Sequence, residues 1–551
     1  MAEPEILREL ARHFFGRFFD KESLSPQGEP EAGVIQTLGI LAAPSGFVVI
    51  LLLPLTFSSW DLVAFRFLFL CYSMTAMGVV MVFEWGALFL DKRDYLILTP
   101  LPLRVFPMVL AKMAALGVFL AMFLAAANFF GVLFWPSLEN RGNFVTVAGT
   151  HLAVMAAGGL FSALAIAALQ GVLVTVFRGS AYRRISVCTQ TAVMALLIMF
   201  FFLSPLMAFS LEKLCRADSQ YLRWFPGFWF AGLYEQLRPA VRHPGDSAAA
   251  ASVLRSLGTL AVRALGISLA VFALTFLPGY RRHARRVLEA PEPSPRGPGW
   301  LFRTMAAAVS RLLRDPVECG VFHFIGQTIA RSTKHRLFLA TYGGLGAALV
   351  TMVLAGGGTS QRVALTLSFI LVSGLRAAFN FPSDLRANWV FQVGETSSLA
   401  GYVRATRAWV MLYAILPLFL VLAVLEATFL PWPMVIYHFA FGVAASMVLM
   451  EAMFLGFRKV PFTCSHFPGK VNLVFLGVLY VFGFTLYSKY MASLEERLWA
   501  RPLGALAFFL AVVAALLALG RLRNRLMGTA PRLEYEDDRD PVVCELRLTE
   551  Q

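Results

Sequence analysis

The stretch Leu90–Lys112, LDKRDYLILTPLPLRVFPMVLAK, decides how this chain is read. It opens with a charged turn, Asp91-Lys92-Arg93-Asp94, passes through a short segment punctuated by Pro100 and Pro102, and enters a long apolar run. Proline fixes the backbone and interrupts helices, and charges stay in water. A charged, proline-bounded insert between two apolar runs therefore reads as a loop joining two membrane spans.

Composition supports a membrane setting for the whole chain. Of 551 residues, 58% are hydrophobic and 15% charged, with a mean hydropathy of +0.68. Soluble domains carry about 25% charge, so most of this chain does not face water. Apolar runs of roughly 18 residues or more recur, which marks transmembrane helices; the short alternating segments of a β-barrel are absent. The net charge of +15 sits in loops between apolar runs and argues against nucleic acid as a partner. Cys71, Cys188, Cys215, Cys319, Cys464 and Cys544 form no CxxC pair and no disulfide framework. Cys464 and His466 are two ligands, not a metal site, and neither a metal nor a cofactor is expected. Glu3, Glu5, Glu9 and Asp20 precede the first apolar run, unlike a signal peptide.

Twelve spans are expected, at about 34–57, 62–89, 105–134, 145–177, 187–211 and 256–279, then 337–355, 362–382, 406–430, 434–456, 471–489 and 502–520. The predicted fold is all-α: a polytopic membrane protein of two six-helix repeats, with amphipathic cytoplasmic helices before each half. Its first half is 1–289, a Pro-rich linker 290–299, its second half 300–520 and an acidic cytoplasmic tail 521–551. Ile6, Leu10, Phe14 and Phe18, four residues apart, make residues 4–20 an amphipathic helix in the membrane interface. Asp315-Pro316-Val317-Glu318 is a helix start: an N-cap, a proline in the first turn and an acid at the third position. With both termini inside, every basic cluster from DKR to RLRNR falls on the cytoplasmic side.

Trp224, Phe225, Phe228, Trp229 and Tyr234 crowd the longest exterior segment. They suit a re-entrant or interfacial helix at the headgroup level, or a surface stacking on an amphipathic or lipid-like cargo. The halves also share a large charged loop after the second span and a Trp-Pro pair beyond the third, Trp135-Pro136 and Trp432-Pro433. From Tyr95 to Trp135 is 40 residues and from Trp389 to Trp432 is 43, so the repeat is degenerate.

An amphipathic helix, six spans, a charged loop between the second and third, and an aromatic segment between the fifth and sixth resemble the ABC-2 type (type V exporter-like) permeases. RDYLILTPLPLRVFPMVLAK is similar to the loop by which those permeases dock on their nucleotide-binding subunit. The resemblance implies an efflux permease in a bacterial-type plasma (inner) membrane, with ATP-binding subunits in trans. It implies a coupling contact through Asp91, Arg93, Asp94, Tyr95, Thr99, Pro100 and Pro102, with Lys112 at the base of the third span. The second-half loop offers a weaker counterpart in Asp384, Arg386, Asn388 and Trp389. This chain carries no GxxxxGK[ST] phosphate cradle, so it is not expected to be an enzyme, and ATP hydrolysis belongs to another chain. An ion-gradient-driven carrier is the first rival. Its candidates Glu84, Lys112, Arg263, Arg376, Glu426, His438 and Glu451 mostly fall near span ends, where snorkelling explains them. A polytopic membrane enzyme is the second; no HExxH or GxSxG motif supports it.

Overall fold

The computed structural model describes residues 3–19, 62–86, 88–89, 105–139, 143–217, 219–238, 248–289, 315–383, 388–393, 399–464 and 480–528, with isolated positions at 39, 42–43, 45–46, 94, 98, 313 and 533. Within these residues the fold is all-helical, without a strand. Nine helices there are long and apolar enough to cross a membrane. The predicted first span, 34–57, lies almost entirely outside the described residues, as does 471–479 of the predicted span 471–489. The chain forms two compact units, Met1–Pro295 and Arg296–Gln551, and the division falls inside 290–299.

In the first unit, α1 (Glu3–Phe19) is followed by α2 (Leu62–Phe83), α3 (Val105–Glu139), α4 (Phe144–Val176) and α5 (Gly179–Arg216). Short α6 (Tyr221–Trp224) and α7 (Pro226–Leu237) lead into α8 (Ala248–Glu289). Helix α2 is the axis: α3, α4, α5 and α7 pack around it, and 83% of its apolar stretch is buried in protein. Its C-terminal carbonyls, which a helix leaves unpaired, are met from neighbouring helices. The Gln190 side chain donates to the Val82 carbonyl at 2.9 Å, that of Gln170 donates to the Trp85 carbonyl, and Trp85 Nε1 donates to Ser186 Oγ at 2.9 Å. Asn128 of α3 donates to Ser73 Oγ at 3.0 Å, which donates to the Met155 carbonyl at 3.1 Å. This relay links three helices by polar contacts of the kind that hold spans together where no hydrophobic drive acts between them.

The predicted basic loop 178–184 is a two-residue reversal instead. Gly179, at φ +55, turns the chain sharply, and Tyr182, Arg183 and Arg184 already lie on the first turns of α5.

The second unit begins with α9 (Pro316–Arg331), capped as expected: Asp315 Oδ1 accepts from the Val317 N–H at 2.9 Å. It continues through α10 (Thr333–Ala355), α11 (Ser360–Ala378), short α12 (Trp389–Val393) and α13 (Leu399–Val410). Helix α13 passes through a π-turn at Met411–Ile415 into α14 (Leu416–Glu426). Pro417 has no N–H to offer the preceding turn, which accounts for the wider spacing there. Then come α15 (Trp432–Met453), a second π-turn at Leu486–Tyr490, α16 (Met491–Trp499) and α17 (Pro502–Gly528). Helix α11 holds the central place, against α10, α15 and α16. It corresponds to the span predicted at 362–382 but is not among the nine helices long and apolar enough to cross a membrane. A helix enclosed by protein can carry the Gln361, Thr366, Ser368 and Ser373 that lie buried along it. Helix α17 is the opposite case, with 6% of its apolar stretch buried. Residues 457–464 form an ordered turn: Phe462, at φ +68, accepts from the Ser383 N–H at 2.9 Å and donates to the Phe379 carbonyl at 3.2 Å.

Candidate functional site

The charged loop is anchored to the helices on both of its sides. Helix α1 lays Leu10, Phe14 and Phe18 against α3 and buries them, with Phe18 stacked on Phe119 at 5.0 Å. The predicted apolar stripe thus packs on the protein's own third span. From the same helix Arg17 reaches Asp94. Lys112 of α3 approaches the other Asp94 oxygen at 3.2 Å, donates to the Phe89 carbonyl at 2.6 Å, and lies 5.6 Å from the centre of the Phe14 ring. Asp94, expected as an outward contact, is 2% exposed and is held by Arg17 and Lys112. Asp91, Arg93, Tyr95, Thr99, Pro100 and Pro102 lie outside the described residues, as do Asp384 and Arg386. In the second unit Asn388 is buried and donates to the Thr463 carbonyl at 2.6 Å. Beside it Trp389, Val390 and Val393 are exposed.

The aromatic segment divides between two tasks. Tyr221 and Trp224, on α6, are exposed, whereas Phe228, Phe230 and Tyr234, on α7, are buried. Phe228 stacks on Phe67 of α2 at 4.7 Å, and Phe225 on Phe200 at 4.9 Å. Helix α7 seats tightly on α8 because position 232 is glycine: a Cβ there would lie 2.1 Å from the Leu254 carbonyl oxygen.

Beneath α7 lies an ionic cluster that the sequence does not announce. Arg66 of α2, 2% exposed, reaches Glu235 at 2.7 Å and Glu139 at 3.0 Å; Arg238 Nε reaches Glu139 at 2.8 Å. Trp135 Nε1 donates to the second Glu139 oxygen at 2.9 Å. The Arg66 guanidinium also lies 5.0 Å from the centre of the Tyr234 ring and 5.7 Å from that of Trp135. His151 stacks on Trp135 at 5.1 Å, and its two buried ring nitrogens have no hydrogen-bond partner.

The second unit carries a related cluster in which histidine stands between the acids. His438 Nδ1 is 2.6 Å from Glu495 Oε1, and Nε2 is 3.2 Å from Glu426 Oε1, near enough for charge pairing though not aligned for a hydrogen bond. All three residues are buried. Burial pushes the Glu495 carboxyl up, against the downward pull of His438. Glu139 precedes His151 by twelve residues, and Glu426 precedes His438 by twelve. The two Trp-Pro pairs, by contrast, do not correspond. Trp135 is buried inside α3, while Trp432 is exposed and opens α15.

These clusters correct the snorkelling account. Glu84, Lys112, Glu426, His438 and Glu451 are buried rather than reaching toward water, and Arg263 alone of the seven is exposed. Glu451 is held by Arg407 and by Arg523, the latter at 2.6 Å. Arg376 donates to the Met453 carbonyl at 3.2 Å and to Asn380 at 2.9 Å, with the Phe457 ring 4.8 Å away. The charges of Lys112, Glu426, His438 and Glu451 are met by protein partners. Among the described residues no group of three or more His, Cys, Asp or Glu side chains is arranged to hold a metal ion. No protein-family model, curated protein or solved structure matches this chain.

Proposed function

We propose that this chain is the permease of an ATP-driven transporter, an exporter whose ATPase is a separate soluble subunit docked beneath the 90–112 loop. The observation that carries the reading is the tie at Asp94. A motor outside the membrane moves spans only through an element fixed to them, and Arg17 and Lys112 fix this loop to an amphipathic helix and a span together. With Asp94 turned inward, Asp91 and Arg93 are the charges of the loop that we assign to the motor contact. Exposed Trp389 offers a different, apolar contact in the second half. The two units form a degenerate parallel repeat of six spans each, with both termini cytoplasmic in a bacterial-type plasma membrane. The Glu139–His151 and Glu426–His438 pairs are its corresponding positions. Cargo that is amphipathic or lipid-like suits the exposed aromatics at Tyr221 and Trp224.

The test is purification from native membranes. An ATPase activity should accompany the wild-type chain, and Asp91→Lys with Arg93→Glu should abolish that association while the variant melts as the parent does. A chain that purifies alone and drives uptake from a proton or sodium gradient would overturn the proposal. The ion-gradient carrier remains the second reading because Glu426, His438 and Glu495 form a buried titratable group of the type that serves proton relays.

A further inference from the structure

Next to the His438 cluster lies a cavity of about 150 Å³, lined by Gln361, Met434, Tyr437, Glu495, Glu496 and Trp499. A dry cavity of that size holds a molecule such as benzene, so the space exceeds what a single water needs. Its walls combine two kinds of group. Tyr437 and Trp499 meet at 5.3 Å between ring centres, inclined at 52°, with the Met434 side chain beside them. Glu495 supplies a buried carboxylate whose Oε2 has no partner, and the Tyr437 hydroxyl is likewise unpaired. Glu495 is 2% exposed, while Glu496 is exposed at the mouth. No basic side chain lines the cavity among the described residues. His438, behind it, lies between Glu426 and Glu495.

We propose that this cavity binds the alkylammonium head of an organic cation, seated on the Tyr437 and Trp499 rings with its charge toward Glu495. Aromatic faces attract ammonium groups through the ring quadrupole, and recognition of quaternary ammonium by aromatic walls works this way. An anion is disfavoured by the two carboxylates. A neutral apolar guest would gain neither the attraction of the carboxylates nor that of the ring quadrupoles. The source of the head is either a free small amine or a zwitterionic lipid; Trp499 and the exposed Trp432 are residues typical of the headgroup level. The site is built entirely within the second unit and stands whether or not the chain couples to an ATPase.

The experiment uses the full-length chain in detergent, titrated with choline and with its uncharged carbon analogue 3,3-dimethyl-1-butanol, followed by melting temperature. Choline should raise the melting temperature saturably and the alcohol should not. Glu496→Gln and Trp499→Leu, both at exposed positions, should melt as the parent does without ligand. Each should weaken choline binding by roughly threefold to tenfold, the range for one cation–π or carboxylate contact. Glu495→Gln should lose binding, but because it also touches His438 the two exposed variants carry the decision. Equal effects of choline and the alcohol, or parental affinity in both variants, would overturn the proposal. Native mass spectrometry from nanodiscs then separates the sources. Phosphatidylcholine or phosphatidylethanolamine retained by the parent and lost by Trp499→Leu identifies a lipid head. Choline binding without retained lipid identifies a free amine.

Discussion

Replacing Asp94 by Asn tests whether the 90–112 loop is a rigid handle. The substitution keeps the shape and removes the charge that Arg17 and Lys112 share. Breaking one side of a buried ion pair costs about 3–5 kcal/mol, since the partner is left uncompensated. Two features place the effect at the low end. Arg17 is one-third exposed and can turn to water; Lys112 keeps the Phe89 carbonyl at 2.6 Å and the Phe14 ring. About 3 kcal/mol, at roughly 2 °C per kcal/mol for a unit of this size, lowers the melting temperature by about 6 °C. Lys112→Met alone should cost a similar amount. The double variant should cost about 2 kcal/mol less than the sum, because neither member is left charged and alone. Intrinsic fluorescence during thermal unfolding of all four proteins in one detergent measures the cycle. An additive double variant, or an Asp94→Asn protein melting within about 1 °C of the parent, would refute the idea that this carboxylate braces the loop.

Arg66→Met should destabilise the first unit by about 3–5 kcal/mol, read as lost yield and a lowered melting temperature, because Arg238 alone then faces Glu139 and Glu235. Phe228→Ala should cost about 3–5 kcal/mol, whereas Trp224→Ala, at an exposed position, should stay within about 0.5 kcal/mol; the same thermal assay separates core from surface. Gly232→Ala places a methyl on the Leu254 carbonyl and should cost about 1–3 kcal/mol as α7 lifts from α8, seen as faster hydrogen exchange across 226–237. Gln361→Arg should bring a cation to the cavity carboxylates, remove the choline response and leave or raise the melting temperature; a retained choline response would count against the charge argument.

Hydropathy alone located most of the spans, because a bilayer demands apolar runs regardless of how helices pack. It missed the character of α11, where enclosure by protein relaxes that demand, and the turn at Gly179, where one residue of positive φ replaces a loop. The amphipathic stripe of α1 was legible in its four-residue spacing, but a stripe does not say whether lipid or protein covers it, and here α3 does. The N-cap at Asp315 was legible because capping is local. The direction of Asp94 was not legible, since a carboxylate in a loop looks the same whether it faces a partner or Lys112. The clusters at Arg66 and His438 were invisible for a related reason: Arg66 lies 73 residues from Glu139 and 169 from Glu235, and His438 57 from Glu495, too far for a local pattern to join them. The sequence does hold the same twelve-residue interval from glutamate to histidine in both halves, but nothing local marks it beside the more conspicuous Trp-Pro pairs.

The two clusters balance their charges differently. In the first unit Glu139 and Glu235 face Arg66 and Arg238, so two negative charges meet two positive ones without His151, which is left stacked on Trp135. In the second unit the helix in the central place contributes neutral Gln361, and among the described residues His438 is the one basic group in contact with Glu426 and Glu495. A buried carboxylate without a counter-charge costs several kcal/mol, so this cluster favours either a proton on one acid or a cation from outside. The first outcome serves an ion-coupled carrier and the second an ammonium site. The cavity beside Glu495, walled by Tyr437 and Trp499, favours the second, because a proton requires no space and an alkylammonium group requires about the space that is present.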